Sequence, residues 1–184
     1  MSAVATDITR KLVTRSKKLK WWQVMLISVV VSALGSLSGL RSKKKERALY
    51  ETDLKEAPWA PPAWVFAPAW TINNFFLIKA MRRILEKDMP EKRKLLLLQA
   101  GIWIIFFSFN YVYFRKKSPV LAALWTMSDN ILAIASMLVS IKSDKKNALN
   151  FLPLVLWTSF ASSLADYQAL KNPDPVFKSK ALLA

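Results

Sequence analysis

Charge is gathered along this chain instead of being spread. Basic clusters, RSKKKER at 41–47, KRK at 92–94, RKK at 115–117 and KSDKK at 142–146, separate long blocks that are almost free of charge. A run of about 20 apolar residues is what a helix needs to cross the hydrocarbon of a bilayer. Inside that hydrocarbon the backbone must satisfy its own hydrogen bonds, which leaves helices or closed barrels. The segregation also reconciles two numbers: 53% of the residues are hydrophobic, yet the mean hydropathy is only +0.21. The formal net charge of +16 has two readings, nucleic acid or a membrane protein with basic loops. Cations placed between apolar blocks, not along one face, favour the membrane, and no nucleic-acid partner is expected. The expected partner is membrane lipid.

The blocks divide the chain into one domain. Residues 1–20 form a basic arm holding Arg10, Lys11, Arg15, Lys17, Lys18 and Lys20. The apolar block that follows is too long for the core of a cleaved signal peptide and is read as a first span. Spans are expected at about 21–40, 61–80, 95–114, 119–141 and 148–170, with a frayed C-terminal tail at 171–184. The short connections predict antiparallel neighbours in a compact bundle. Sixteen basic residues fall on the N-terminal side of these spans and twelve on the other, so the positive-inside rule leans weakly towards a cytoplasmic N-terminus. The expectation is an all-α, multi-pass integral membrane protein; which membrane holds it is not encoded in these patterns. In span one, Gly35-x-x-x-Gly39 with Ser28 and Ser32 makes a small-residue stripe, suited to close packing within the bundle or to a homodimer face.

With no Cys and no His, disulfides, iron–sulfur clusters, thiolate or imidazole metal sites and an imidazole general base are all excluded. The twelve acidic residues lie mostly in loops, so no metal site is expected. There is no acid–base dyad, nucleophile–base pair or phosphate loop, and ordinary hydrolytic or transfer chemistry has no residues to run on.

Residues 58–70 read PWAPPAWVFAPAW and hold three of the eight tryptophans and four of the nine prolines. Pro61 and Pro62 fit the start of a helix, where a missing N–H costs nothing. Pro58 stiffens the approach, and Pro68, inside the expected span, predicts a kink. Trp64 and Trp70 lie on different helix faces, with Trp59 in the loop before them. Two readings stay open from the residues alone: an interfacial aromatic belt beside a helix start, or the indole-lined mouth of a ligand pocket.

The same stretch resembles the signature of the translocator protein family, also called tryptophan-rich sensory proteins or peripheral benzodiazepine receptors, approximately W-x-P-P-x-W-V-F-x-P-x-W. The resemblance reaches upstream to Tyr50, Glu51 and Lys55, and downstream to LWTSFASSLADYQALKNP at 156–173, similar to that family's W-x-x-F-A-T-x-L-N-Y-x-x-W-x-x-N. It covers about residues 22–173. It implies a five transmembrane helix bundle with a central apolar ligand pocket that binds porphyrins such as protoporphyrin IX. Some members bind cholesterol or benzodiazepine-type ligands, and some bacterial members promote light-dependent porphyrin breakdown. Carried over by motif, the pocket residues are Tyr50, Trp59, Trp64, Phe66, Trp70, Trp157, Phe160 and Ala161, and Trp70 and Trp157 match the photochemically active indoles. No cofactor is required; porphyrin enters as ligand, metal-free because no imidazole is available for iron. Span three, QAGIWIIFFSFNYVYF, departs from the family's Q-x-x-x-N-x-x-W pattern, and Ala165, Asp166 and Ala169 replace its Asn-Tyr and later Trp in span five.

A porphyrin is flat, apolar and edged with carboxylates, so it would stack on indole and meet a few polar groups. Asn73, Asn74, Asn110 and Asn130 could orient a ligand or bond between helices, and Lys55 could meet the propionates. Asp129 lies deepest of the acids, which marks a functional candidate or a bond inside the bundle. Leu164, Tyr167 and Lys171 fit a degenerate sterol-recognition pattern, and equally an interfacial Tyr with a snorkelling Lys. Three functions follow: a membrane receptor or carrier for tetrapyrroles, with a role in tetrapyrrole regulation or stress sensing; light-driven porphyrin degradation through Trp70 and Trp157; or a partner-binding membrane protein with a vestigial pocket.

Overall fold

The computed structural model describes residues 19–37 and 54–183. Most of the basic arm, Gly39 and Tyr50 lie outside the described residues. Helix α1 spans Trp21–Ser36; a 3-10 turn, Ala63–Val65, leads into α2, Phe66–Glu86; α3 spans Lys92–Asn110 and widens into a π-helical turn, Tyr111–Arg115; α4 spans Pro119–Ser143 and α5 spans Lys145–Lys171. No strand occurs among the described residues; an antiparallel bridge joins Asp174 and Ser179. Lys92–Arg115, Pro119–Ser143 and Lys145–Lys171 are long and apolar enough to cross a membrane, while α1 is apolar but shorter.

Local chemistry sets the boundaries. Ser118 caps α4, its hydroxyl accepting from the Leu121 N–H at 3.0 Å, and Pro119 occupies the first helical position. Asp144 alone separates α4 from α5 and caps α5 by accepting from the Lys146 and Asn147 N–H groups. Span two starts later than the expected 61 and ends later than 80. Pro62 is extended (φ −55°, ψ 143°), so the prolines hold the approach out of the helix and α2 begins at Phe66. Pro68 therefore falls in the first turn of α2, where its missing N–H has no helical partner to lose, and the expected kink has no cause there. The proline inside a helix is Pro153 in α5.

Around the bundle the neighbours run α1, α2, α5, α4, α3 and back to α1, with α2 also meeting α3. Leu77, Ala80 and Ile84 of α2 pack with Met89, with Leu95 and Ile102 of α3, with Ala133 of α4 and with Phe151 and Leu154 of α5. This core lies towards the end where Asp144 joins α4 to α5. Polarity is inverted relative to a water-soluble bundle. Leu97, Ile104, Leu124, Ile131, Leu138, Leu149 and Leu156 point outward, while Ser28, Asn74, Gln99, Ser136, Ser140, Asn147 and Thr158 are buried. A lipid solvent produces that arrangement, because helices in hydrocarbon gain little by hiding leucine and associate through small and polar groups. The Gln99 amide donates to the Leu77 carbonyl at 2.7 Å, Asn74 to Ser32 Oγ at 2.9 Å and Asn147 to Ser140 Oγ at 3.1 Å. The small stripe of α1 is used inside the bundle: Ser28 is buried, Ser32 meets α2, and a Cβ built on Gly35 would stand 2.6 Å from the Phe106 ring of α3.

The two ends of the bundle differ. At one, Asp144 receives both Arg83 Nη2 (3.0 Å) and Lys87 Nζ (2.8 Å) from α2. At the other, the tail expected to fray is tied down. Asp174 accepts from Ser118 Oγ (2.6 Å), the Val120 N–H (3.0 Å) and the Val176 and Phe177 N–H groups (2.8 and 3.0 Å). The Asn172 side chain accepts from the Lys55 N–H and donates to its carbonyl, and the Leu182 and Leu183 N–H groups both reach the Leu170 carbonyl.

Candidate ligand groove at the tryptophan end

A groove formed by described residues lies along the seam of α2 and α5. Ala69, Ile72 and Asn73 form one wall and Pro153, Leu156, Trp157 and Phe160 the other; it is open on its outer side and holds about 320 Å³. That volume is at the lower end of the range for small-molecule sites. Each wall is one helix stripe, since residues three and four apart share a face.

Most of the asparagines serve the bundle. Asn74 donates to Ser32, Asn110 to the Gly35 carbonyl at 3.0 Å, and Asn130 to Thr158 Oγ1 and Ser159 Oγ, each at 2.9 Å. Asn73 differs. It lines the groove, and its side chain makes no hydrogen bond among the described residues, whereas the Asn74 Oδ1 beside it is buried and unpaired. The Asn73 donors and acceptor are therefore available to whatever fills the groove. Trp157 also keeps its indole N–H buried and unpaired.

The aromatic residues sort into three places. Trp157 meets the Phe66 ring edge-on at 5.5 Å and Phe160 at 5.9 Å, which puts Phe66 beside the groove wall. Trp70 faces the other way, its ring 5.3 Å from Phe106 of α3 and packed against the core. Trp70 and Trp157 make no ring contact with each other. Trp59 bridges the loop to α5, its indole N–H donating to Ser163 Oγ at 3.2 Å and its ring meeting Tyr167 edge-on at 5.4 Å. Trp64 is 73% exposed on the outer surface. Ala161 follows Phe160 on α5 but does not line this groove. In the sterol pattern, Leu164 is buried and Tyr167 is engaged by Trp59, with Lys171 at the end of α5.

Asp129 is 1% exposed, and neither carboxylate oxygen has a hydrogen-bond partner. No group of three or more potential metal ligands occurs among the described residues. Sequence reasoning named Trp157 and Phe160 of one wall and Asn73 of the other but passed over Ala69, Ile72, Pro153 and Leu156. The available signal was spacing: 153, 156, 157 and 160 fall on one face, and a proline inside an apolar span marks an irregular helix worth examining.

Comparison with known proteins agrees with this architecture. The profile of the TspO/MBR family matches residues 25–169. Tryptophan-rich protein TspO of Chlorobaculum tepidum is 24% identical over 128 residues, which cover 65% of this chain and 77% of that protein. Protein CrtK of Rhodobacter capsulatus is 21% identical over 119 residues, covering 60% of this chain and 71% of that protein. With the family profile covering most of its length, and with three helices long and apolar enough to cross a membrane, the chain is a membrane protein that belongs to the TspO/MBR family.

Proposed function

We propose that this protein is a five-span, multi-pass membrane receptor or carrier for flat, apolar ligands of the tetrapyrrole class, protoporphyrin IX being the first to try. In this reading α2 crosses with its cationic last turns at the interface. Ligand rings lie against Trp157, Phe160 and Phe66, and the Asn73 amide fixes their orientation. The observation that carries the reading is the buried, unpaired N–H of Trp157, which lines an otherwise apolar, aromatic groove, with the unbonded Asn73 amide on the opposite wall. Aromatic pairs contribute about 0.5–1.5 kcal/mol beyond simple burial, which gives ring-bearing ligands an advantage over aliphatic ones of equal area. The translocator signature at 58–70 supports the tetrapyrrole class. Lys55 and Trp59 would act from the loop above, and Trp70 through the α2–α3 side of the bundle.

The test is titration of the detergent-purified protein with protoporphyrin IX in dim light, read by tryptophan fluorescence. Saturable quenching is expected, weakened in Trp157→Phe and little changed in Trp64→Phe. Linear quenching, identical in all three proteins, would refute the reading and leave the indoles as belt and packing residues. Repeating the titration under illumination separates binding from photochemistry. Light-dependent loss of pigment that vanishes in Trp157→Phe would make the groove a site of reaction as well as of binding.

A further inference from the structure

We infer that the C-terminal hook, residues 172–183, is an interfacial anchor that seats the tryptophan end of the bundle in an anionic lipid surface. The hook has a fixed backbone and loose, amphipathic side chains. Asp174 holds its base through four hydrogen bonds and the bridge to Ser179. Lys178 closes the turn in the left-handed region (φ 51°), and the Leu170 carbonyl holds Leu182 and Leu183. A segment held at both ends could have buried its apolar side chains. Val176, Phe177, Leu182 and Leu183 instead point outward, with Lys178 and Lys180 exposed among them.

Charge identifies the occupant. Arg115, Lys116 and Lys117 stand at the same end of the bundle, next to the Asp174 contacts on α4. None of these three, nor Lys178 or Lys180, has a carboxylate partner among the described residues; Arg115 and Lys116 lie over the Tyr111 ring. The ion pairs that Arg82, Arg83 and Lys87 make with Glu86 and Asp144 belong to the opposite end. The one carboxylate of the hook, Asp174, is turned inward and fully used, so it does not offset the lysines. Exposed apolar side chains beside unpaired cations, at the level where helices leave the bilayer, match lipid acyl chains beneath anionic headgroups. Trp59 and Trp64, half or more exposed at this same end, are the residue type that settles at that depth.

The chain has no cysteine, so one can be placed at will. Full-length Ala181→Cys, labelled with an environment-sensitive nitrobenzoxadiazole dye, is reconstituted in phosphatidylcholine vesicles with or without phosphatidylglycerol. Ser143→Cys at the far end serves as control. The label at 181 should be shielded from aqueous iodide and quenched by lipids carrying a shallow nitroxide, more strongly with phosphatidylglycerol and less so at high salt. Substituting Lys178→Gln and Lys180→Gln should weaken the phosphatidylglycerol-dependent part, about fivefold per lysine. Phe177→Ser with Leu182→Ser should expose the label in both lipids. Iodide access equal at 181 and 143 in every vesicle would overturn the anchor. Shielding that disappears on diluting the protein in lipid would overturn it in favour of a second copy of the chain. Porphyrin titration is independent of all these readouts.

Discussion

The two ends of this bundle solve opposite problems. At the Asp144 end the cations and the packing close the bundle: Arg83 and Lys87 converge on Asp144, Asn147 donates to Ser140, and the apolar core of Leu77, Ile84, Leu95 and Phe151 fills the space between, although Gln99 Oε1 and Asn147 Oδ1 stay unpaired among the described residues. At the tryptophan end the seam of α2 and α5 is open, the Trp157 N–H is buried and unpaired, the Asn73 amide makes no hydrogen bond among the described residues, and Lys116, Lys117, Lys178 and Lys180 have no carboxylate partner among the described residues. The difference separates stability from recognition. Ion pairs and a packed apolar core hold the helices in place, and an open seam, kept up by the other end, is a place where a ligand can meet unused hydrogen-bonding groups.

The sharpest way to break the comparison is to damage the closed end. Asp144→Ala removes the cap of α5 together with the partner of two cations, and should cost about 2–4 kcal/mol. A clear drop in the thermal midpoint of the detergent-purified protein is expected, with porphyrin quenching per folded molecule preserved. Gly35→Ala comes next. Its Cβ would press on Phe106, which Trp70 and Trp103 hold from behind, so a loss of about 1–3 kcal/mol is expected, partly restored by Phe106→Leu. Asn73→Leu inverts the pattern: thermal stability should hold or rise, while protoporphyrin affinity falls about tenfold at most, the worth of one hydrogen bond. If Asn73→Leu unfolds the protein and leaves affinity unchanged, the division between the ends is wrong.

The smallest effect is pH dependence. The Arg83 hydrogen bond, opposed by burial and aided by Lys87 and the Asn147 N–H, holds the Asp144 carboxyl well below the usual carboxylate range. In Asp174 burial acts upward, but the Ser118 hydroxyl and the Phe177, Val120 and Val176 N–H groups outweigh it, so it too is depressed. A depressed folded pKa contributes stability that is fully present above the unfolded value, about 3.9, and is lost as pH falls towards the folded one. Melting temperature should therefore be insensitive to these two groups from pH 8 to about 5 and decline below about 4. Asp144→Asn should flatten that acid limb, measurable by scanning fluorimetry.

Much of the fold was legible because it rests on local signals. The third to fifth helices begin and end within a few residues of the expected spans, since basic clusters and the Ser118-Pro119 and Asp144 caps mark their ends. The tail was misjudged because its order comes from long-range bonds to Ser118 and Val120, although Asp174 followed by two accepted N–H groups is a turn signal that could have been read. The helical spans expected over 61–80 moved because consecutive prolines and their following turn delay α2. The groove lay beyond reach for a different reason. Four asparagines look alike in sequence, and only the packing of α1, α3 and α5 decides which three are bonded and leaves Asn73 facing the groove.

The single residue between α4 and α5 has one more consequence. A link of one residue has no slack, so the angular setting of α5 is geared to α4. Each residue of an α-helix turns the chain by about 100° and advances it about 1.5 Å. Inserting one residue beside Asp144 would let its capping bonds re-form only by swinging the far stretch of α5 about its own axis. Trp157 lies thirteen residues from that link, about 20 Å along the helix, and with Pro153 and Phe160 it would rotate away from α2. The phase of the groove wall is thus set at the opposite end of the molecule, by the length of a joint that touches no ligand.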